Sequence, residues 1–406
     1  MSLRHLSIAG IKTFKEYAEK ALIPYLQSHL QGTKRLDVVW DTYKPESLKE
    51  STRQMRGKGV RRKVSGETKL PRNWSDFLRD SLNKKELFDF LSYEVANFVF
   101  PEGKAVYITS EESVLTVCSS SPMPNCNHEE ADTTIVVHVL HALQQGLMTV
   151  QVRTVDTDVV VVVLIGVFHK LLLSQPKADI WVAFGVGKNY RLYSINALST
   201  GLGTKRSQAL PMLHAISGCD TTSAFWGKGK ESFWQAWMAF EEITDTFVYL
   251  ASHPFKPLDS NCENFHKIER LIVLVYDKTS TSLSINQTRR KLFCLKNVTM
   301  ERMPPTQNAL LQHTKRAVYK ASIWVTSIKV EQMIPSPVDY GWGQVDNVWS
   351  PVWLTVPELS KACQDLIKCT CKGDCSNCKC GKANFKCSPL CNCNCNSYCS
   401  ARRQVR

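Results

Sequence analysis

Apolar residues recur at helical spacing between Ala131 and Leu147, at Ile135, Val139, Leu143 and Leu147, so an amphipathic helix is expected there. The β-branched run Val150 to Val155 that follows reads as a strand. Val159 to Leu173 is the most apolar run in the chain, 15 residues long and containing His169 and Lys170. It is too short to span a bilayer and reads as a buried strand or helix of the core. Upstream, the pattern predicts a helix over 11–30, a short strand over Leu36 to Trp40, and helices over 71–100 with Asn73 or Ser75 as caps. Strands are expected at Ala105 to Thr109, Leu115 to Cys118 and Ile180 to Phe184, with another in GVGKNYRLYSI. A short helix is expected over 205–217 and another in SFWQAWMAF, and 236–322 reads as mostly helical. Pro335, Pro337, Gly341, Gly343, Pro351 and Pro357 break the periodicity of 334–357. That stretch reads as an extended connection packed through Trp342, Trp349 and Trp353. Strands alternating with helices define an α/β class.

Acidic residues punctuate these elements. Glu129, Glu130 and Asp132 open the central helix, and Asp156 and Asp158 follow the strand after it. Asp41 ends LDVVWD, and Asp220 follows the 205–217 helix, just before the turn Gly227-Lys228-Gly229-Lys230. Strand ends and helix starts meet at one edge of an α/β sheet, where ligands bind. Carboxylates gathered there are hard oxygen ligands suited to Mg²⁺ or Mn²⁺.

The order Asp, Glu-x-Asp, Asp-x-Asp, Gly-x-Asp, then Gly-x-Gly-Lys resembles the flap-endonuclease-like 5′ nucleases of the PIN-like superfamily. The resemblance implies a nuclease fold with a central, mostly parallel sheet and a helix-hairpin region. It implies a two-metal site formed by Asp41, Glu130, Asp132, Asp156, Asp158 and Asp220. It further implies that Gly227, Gly229 and Lys230 grip duplex backbone and that the segment after Asp41 forms a basic arch. In that segment Lys49, Arg53 and Arg56 are spaced to share one helix face and neutralise phosphates. The family carries a further Asp on its first strand, and no strand-Asp pattern precedes Asp37 here. That leaves either a missing first strand or a lost ligand. The EADT, DTDV and GCDT blocks also resemble a multicopy family of animal proteins related to mobile elements.

Charge points the same way. The 406 residues carry a net charge of +14, which favours a polyanionic partner, nucleic acid first. The N-terminal stretch is broken by charges, so no secretory signal is expected. No membrane partner is expected either. Cys126 and His128 make only half a zinc site and read as ordinary residues. The glycines of GVGKN lack the third glycine and the following helix of a dinucleotide fingerprint.

Ten of the 16 cysteines lie in one tail: Cys369, Cys371, Cys375, Cys378, Cys380, Cys387, Cys391, Cys393, Cys395 and Cys399. Outside an oxidising compartment such density means metal rather than disulfides. The spacing resembles the tesmin-type CXC domain, in which nine cysteines bind three zinc ions; ten candidates leave one spare. Lysines and arginines among and after the cysteines favour DNA contact, and charge and tail together suggest a nuclear location. The expected organisation is a nuclease-like domain over 1–300, a helix and Pro/Trp-rich connection over 301–357, and a zinc-binding tail over 358–406. The expected function is metal-dependent hydrolysis of DNA phosphodiesters. The alternative is a catalytically decayed scaffold that binds DNA or assembles with it.

Overall fold

The computed structural model describes residues 6–55, 59–294 and 300–355; the side chains of Gln54, Met55, Thr157, Asp158, Val159 and Met300 also lie outside the description. Met1–Val352 forms one compact unit and Trp353–Arg406 a second. The ten tail cysteines and Arg56 fall outside the described residues.

In chain order the first unit runs α1 (Phe14–Tyr17), a π-helical turn (Ala18–Leu22), α2 (Ile23–Leu30), β1 (Arg35–Val38), α3 (Leu48–Met55), α4 (Trp74–Phe77) and α5 (Ser81–Ala96). A hairpin follows, β2 (Ala105–Ser110) and β3 (Ser113–Val117), and then α6 (Ala131–Gln144), β4 (Thr149–Thr154), α7 (Thr157–Ser174), β5 (Asp179–Phe184) and β6 (Arg191–Ser194). The remainder is α8 (Ile195–Leu202), α9 (Thr204–Ile216), α10 (Lys230–Ala239), α11 (Ile243–Ser252), α12 (Glu263–Tyr276), α13 (Ile285–Phe293), α14 (Gln307–Val325) and the hairpin β7 (Trp342–Val345) and β8 (Val348–Pro351).

The class is mixed α/β, but the expected single central sheet is two small ones. β1 pairs parallel with β2, which pairs antiparallel with β3. Likewise β4 pairs parallel with β5, which pairs antiparallel with β6. Each parallel pair is thus finished by an antiparallel strand, and β1 and β4 stand at the ends of their sheets. Helix α6 is tied to the first sheet by a 2.7 Å hydrogen bond between His138 Nδ1 and Asp37, which also accepts from Arg35 at 2.7 and 2.8 Å. Its apolar face, with Val136, Val139 and Leu143, joins the core formed around β4, β5 and α7.

The run from Val159 to Leu173 is a helix, although its β-branched content also suited a strand. Burial on nearly all sides replaces the usual one-sided stripe. Gly166 lets Pro211 of α9 approach, since a Cβ there would lie 2.4 Å from Pro211 Cγ. Asn73 caps α4 as expected, whereas Asp80 caps α5. The 334–357 connection contains a hairpin rather than only extended chain. Its turn residues Asp346 and Asn347 both have positive φ, the geometry of a two-residue hairpin loop. Trp342 and Trp349 are buried, as expected of packing tryptophans, whereas Trp353, expected to pack with them, is 60% exposed. Among the described residues no helix is long and apolar enough to cross a membrane.

Candidate active site at the helix starts

Two helix starts and two loops converge. Glu130 is the residue before α6 and Asp132 lies in its first turn. Asp156 is the residue before α7, directly after β4. Asp41 lies three residues beyond the end of β1 and its Oδ1 accepts the Ala131 N–H at 2.9 Å. This bond satisfies one of the free donors at the start of α6, and the carboxylate also suits the positive end of the helix dipole. It fixes the strand-end acid against the acids of α6. Asp220 sits in the loop after α9. Gly218 makes that loop possible: its φ is +106, and a Cβ there would lie 3.1 Å from Ala224 Cα.

Cations thread this cluster. Lys49 of α3 reaches Glu130 Oε2 at 3.1 Å and Asp220 Oδ2 at 3.3 Å. Burial opposes its charge, but the Glu130 and Asp220 carboxylates override that and hold it protonated above the ordinary lysine range. Arg53, one turn further on, lies 3.5 Å from Glu129 and 4.0 Å from Asp41, with its guanidinium over the Tyr43 ring. The expected shared face of Lys49 and Arg53 is present, and it is turned into the acids. Lys320, from the middle of α14, donates to Glu130 Oε1.

Electrostatics divide the acids. For Glu130, burial alone would raise the carboxyl, yet the Lys320 and Lys49 ammonium groups beside it bring it down to about 2. Burial and the neighbouring Glu130, Asp41 and Asp156 carboxylates push Asp132 up to about 8. Glu129 is also raised, mainly by burial, against its 2.6 Å hydrogen bond from Ser47 and the nearby Arg53. A cleft of about 420 Å³, lined by Trp40, Asp41, Tyr43, Phe88, Asp89 and Glu111, opens beside Asp41.

Five of the six acids expected in the site have described side chains, and contacts or mutual charge effects link all five. The side chain of Asp158 lies outside the described residues. The lysine that closes the glycine turn makes contacts within the protein. Lys230 Nζ points back to Gly218 O at 3.0 Å, Ser217 Oγ at 3.3 Å and His214 O at 3.4 Å, bracing the loop that carries Asp220. Gly227, with φ +65, makes the turn, and Gly229 precedes α10. Cys126 and His128 are buried structural residues, with His128 Nε2 2.8 Å from Lys329 O.

Lys320 and the clamping role of Trp349 escaped the sequence reading, and Glu129, already part of the first acidic cluster, joins the site beside the six expected acids. Trp349 clamps α3, since its N–H donates to Ser51 Oγ at 3.1 Å and its indole Nε1 to Glu46 O at 2.7 Å. The Asp346-Asn347 pair between two valines was the available signal for that hairpin. No local pattern announces Lys320, because its partner lies 190 residues away in sequence.

The donor chemistry fits a divalent cation. All the acids offer oxygen, and a carboxyl raised by its like-charged neighbours is stabilised by added positive charge. Among the described residues no three His, Cys, Asp or Glu side chains are gathered closely enough to hold one ion, so coordination would require the acids to draw together. No protein-family model, curated protein or solved structure matches the chain, so the site is read from its own geometry.

Proposed function

We propose that this chain is a divalent-metal-dependent nuclease acting on DNA, with a zinc-binding tail that contacts DNA. What supports the reading is the meeting of Asp41, Glu130, Asp132, Asp156 and Asp220, drawn from separate blocks of the chain, around a carboxyl pushed up to about 8. Asp132, Asp156 and Asp158 are the residues that would hold Mg²⁺ or Mn²⁺, with Asp41 and Asp220 flanking them. When bound, such ions supply an activated water and neutralise the leaving oxygen. The chain's own residues do the rest. Lys49 and Arg53 exchange their carboxylate partners for a phosphate and position it. Asp41 keeps α6 in register with β1. Lys230 fixes the loop carrying Asp220. Nine of the ten tail cysteines would hold zinc, and the basic residues among them would add sequence-independent affinity.

The test is cleavage of labelled 5′-flap, hairpin and single-stranded DNA in Mg²⁺ or Mn²⁺, with zinc retained, against the double variant Asp156→Ala, Asp158→Ala. Metal-dependent cutting by the wild type that the variant loses supports the reading. A second reading, a decayed nuclease scaffold that binds DNA without cutting it, draws on one observation: lysines engage both oxygens of Glu130. Wild-type protein that is folded and binds DNA but leaves every substrate intact would favour it.

A further inference from the structure

A second cavity, of about 460 Å³, opens where α7, α9 and α10 meet β6 and α8. Its lining is mostly aliphatic and aromatic. Leu213 is buried there, whereas Tyr193, Leu198 and Trp234 are each 37–38% exposed. The Trp234 ring packs edge-on against buried Trp237 at 5.3 Å, and the Trp237 indole N–H donates to Thr244 Oγ1 at 2.8 Å, so the core braces Trp234. One polar ring belongs to the same lining. His214 is 6% exposed, and its imidazole packs edge-on to Trp324 at 5.3 Å. Its carbonyl accepts from Lys230 and Ser217, but among the described residues nothing hydrogen-bonds either ring nitrogen. Burial and the Lys230 and Lys320 ammonium groups hold the ring down at about 3, so it is neutral and offers one N–H donor and one acceptor. A buried polar ring without a partner in the fold calls for a ligand that supplies one. The cavity's ammonium, Lys230, is turned to His214 O, Ser217 Oγ and Gly218 O, and Glu231 stands beside it in the lining. The balanced charge does not favour a phosphate. It suits a flat, neutral ring with donors and acceptors on its edge.

We propose that this cavity receives one unpaired nucleobase of the strand whose phosphate lies at the acidic site, with Trp234 and Tyr193 supplying ring contacts and His214 hydrogen-bonding the base edge. The inference deepens the proposed nuclease reading and rests on it for the identity of the strand. The chain itself joins the two places. Ser217 lines the cavity and Asp220 follows three residues later, at most about 11 Å away by Cα spacing. Val161 lines it too, five residues beyond Asp156 and so about 8 Å further along α7. A base held there is out of its stack, so the cavity selects single-stranded or opened substrate. Aromatic contacts tolerate any base, because every base has a π-face.

The test uses the full chain with zinc retained and no added Mg²⁺ or Mn²⁺. Short single-stranded oligonucleotides carry the fluorescent base 2-aminopurine at one position, moved along the strand. Wild type is expected to quench the probe most strongly at one position, and an abasic residue there should weaken binding about five- to hundredfold. Trp234→Ala should lose most of that quenching and most of the cost of the abasic residue, while Trp234→Phe keeps much of both. The slope of affinity against salt should stay as in wild type, since no phosphate contact is removed. Equal quenching and affinity for wild type and a folded Trp234→Ala variant would overturn the proposal and leave the cavity to a protein side chain. Should that variant fail to fold, Tyr193→Ala on the exposed strand β6 takes its place under the same criteria. Cleavage in Mg²⁺ is measured on the same proteins. Base-dependent binding without cutting keeps the nucleobase site and removes the nuclease, whereas cutting without a preferred base position does the reverse.

Discussion

At the scale of single residues the acidic site is a set of opposed titrations. An aspartate in an unfolded chain titrates near pH 4, and Asp132 is pushed up to about 8 by burial and by Glu130, Asp41 and Asp156. Its folded value lies above its unfolded one. Its contribution to stability is therefore complete below the unfolded value and is lost as pH rises through about 8. Glu130 has the opposite sign. Its folded value is about 2, so its contribution is present above the ordinary glutamate range and is lost as pH falls towards 2. Without added Mg²⁺ or Mn²⁺, the wild-type melting temperature should fall between pH 5 and pH 8. Asp132→Asn should remove that fall and gain about 2–4 kcal/mol at pH 8. Added Mg²⁺ should restore the wild type but not the variant, because metal binding requires the ionised carboxylate. Parallel pH profiles for the two proteins would remove Asp132 from its assigned role.

At the scale of elements, the site depends on α3 being held where its basic face meets the acids. The β7–β8 hairpin does this through Trp349, which hydrogen-bonds both Glu46 O and Ser51 Oγ. Glu46 and Ser47 form the entry to α3, and Ser47 donates to Glu129 at 2.6 Å, so clamp, helix and acids are one connected structure. Trp349→Ala should cost about 3 kcal/mol, since it removes a buried indole and its hydrogen bond to Glu46 O, while the main-chain N–H that donates to Ser51 stays. DNA affinity should weaken with it, because Lys49 and Arg53 lose their fixed approach. Trp349→Phe keeps much of the packing and should lose less in both. Chemical denaturation and DNA titration of the two variants check this. Equal DNA affinity for wild type and a folded Trp349→Ala variant would show that α3 needs no clamp. This is also where sequence reading stopped short. The acids sit at helix starts and strand ends, so short patterns revealed them. Lys320 and Trp349 reach the site by packing across the chain, and no local period encodes such a contact. The 159–173 run was ambiguous for a related reason: burial on all sides erases the polar stripe that separates helix from strand.

At the scale of the whole molecule, the division of the sheet and the division of the chain both matter. The expectation of one central sheet with an acid on its first strand meets two short sheets, ending at β1 and β4, that share α6 as a brace. The chain itself divides after Val352, and the principal hydrophobic clusters lie wholly before that point. A chain ending after Thr355 should therefore fold and keep whatever divalent-ion chemistry the acidic site performs. It would lose Lys368, Lys372, Lys379, Lys382, Lys386, Arg402, Arg403 and Arg406 along with the ten tail cysteines. Each phosphate neutralised contributes about −0.9 to the slope of log affinity against log salt on duplex DNA. The full, zinc-loaded chain should thus bind duplex more tightly and with a slope steeper by several such increments than the shortened one. On the proposed reading of the tail as a zinc-binding segment, zinc removal should bring the full chain towards the shortened one. Equal slopes for the two chains, measured by fluorescence anisotropy between low and physiological salt, would mean that the tail's charge does not meet DNA. The basic balance of the molecule would then act through α3 and the first unit alone.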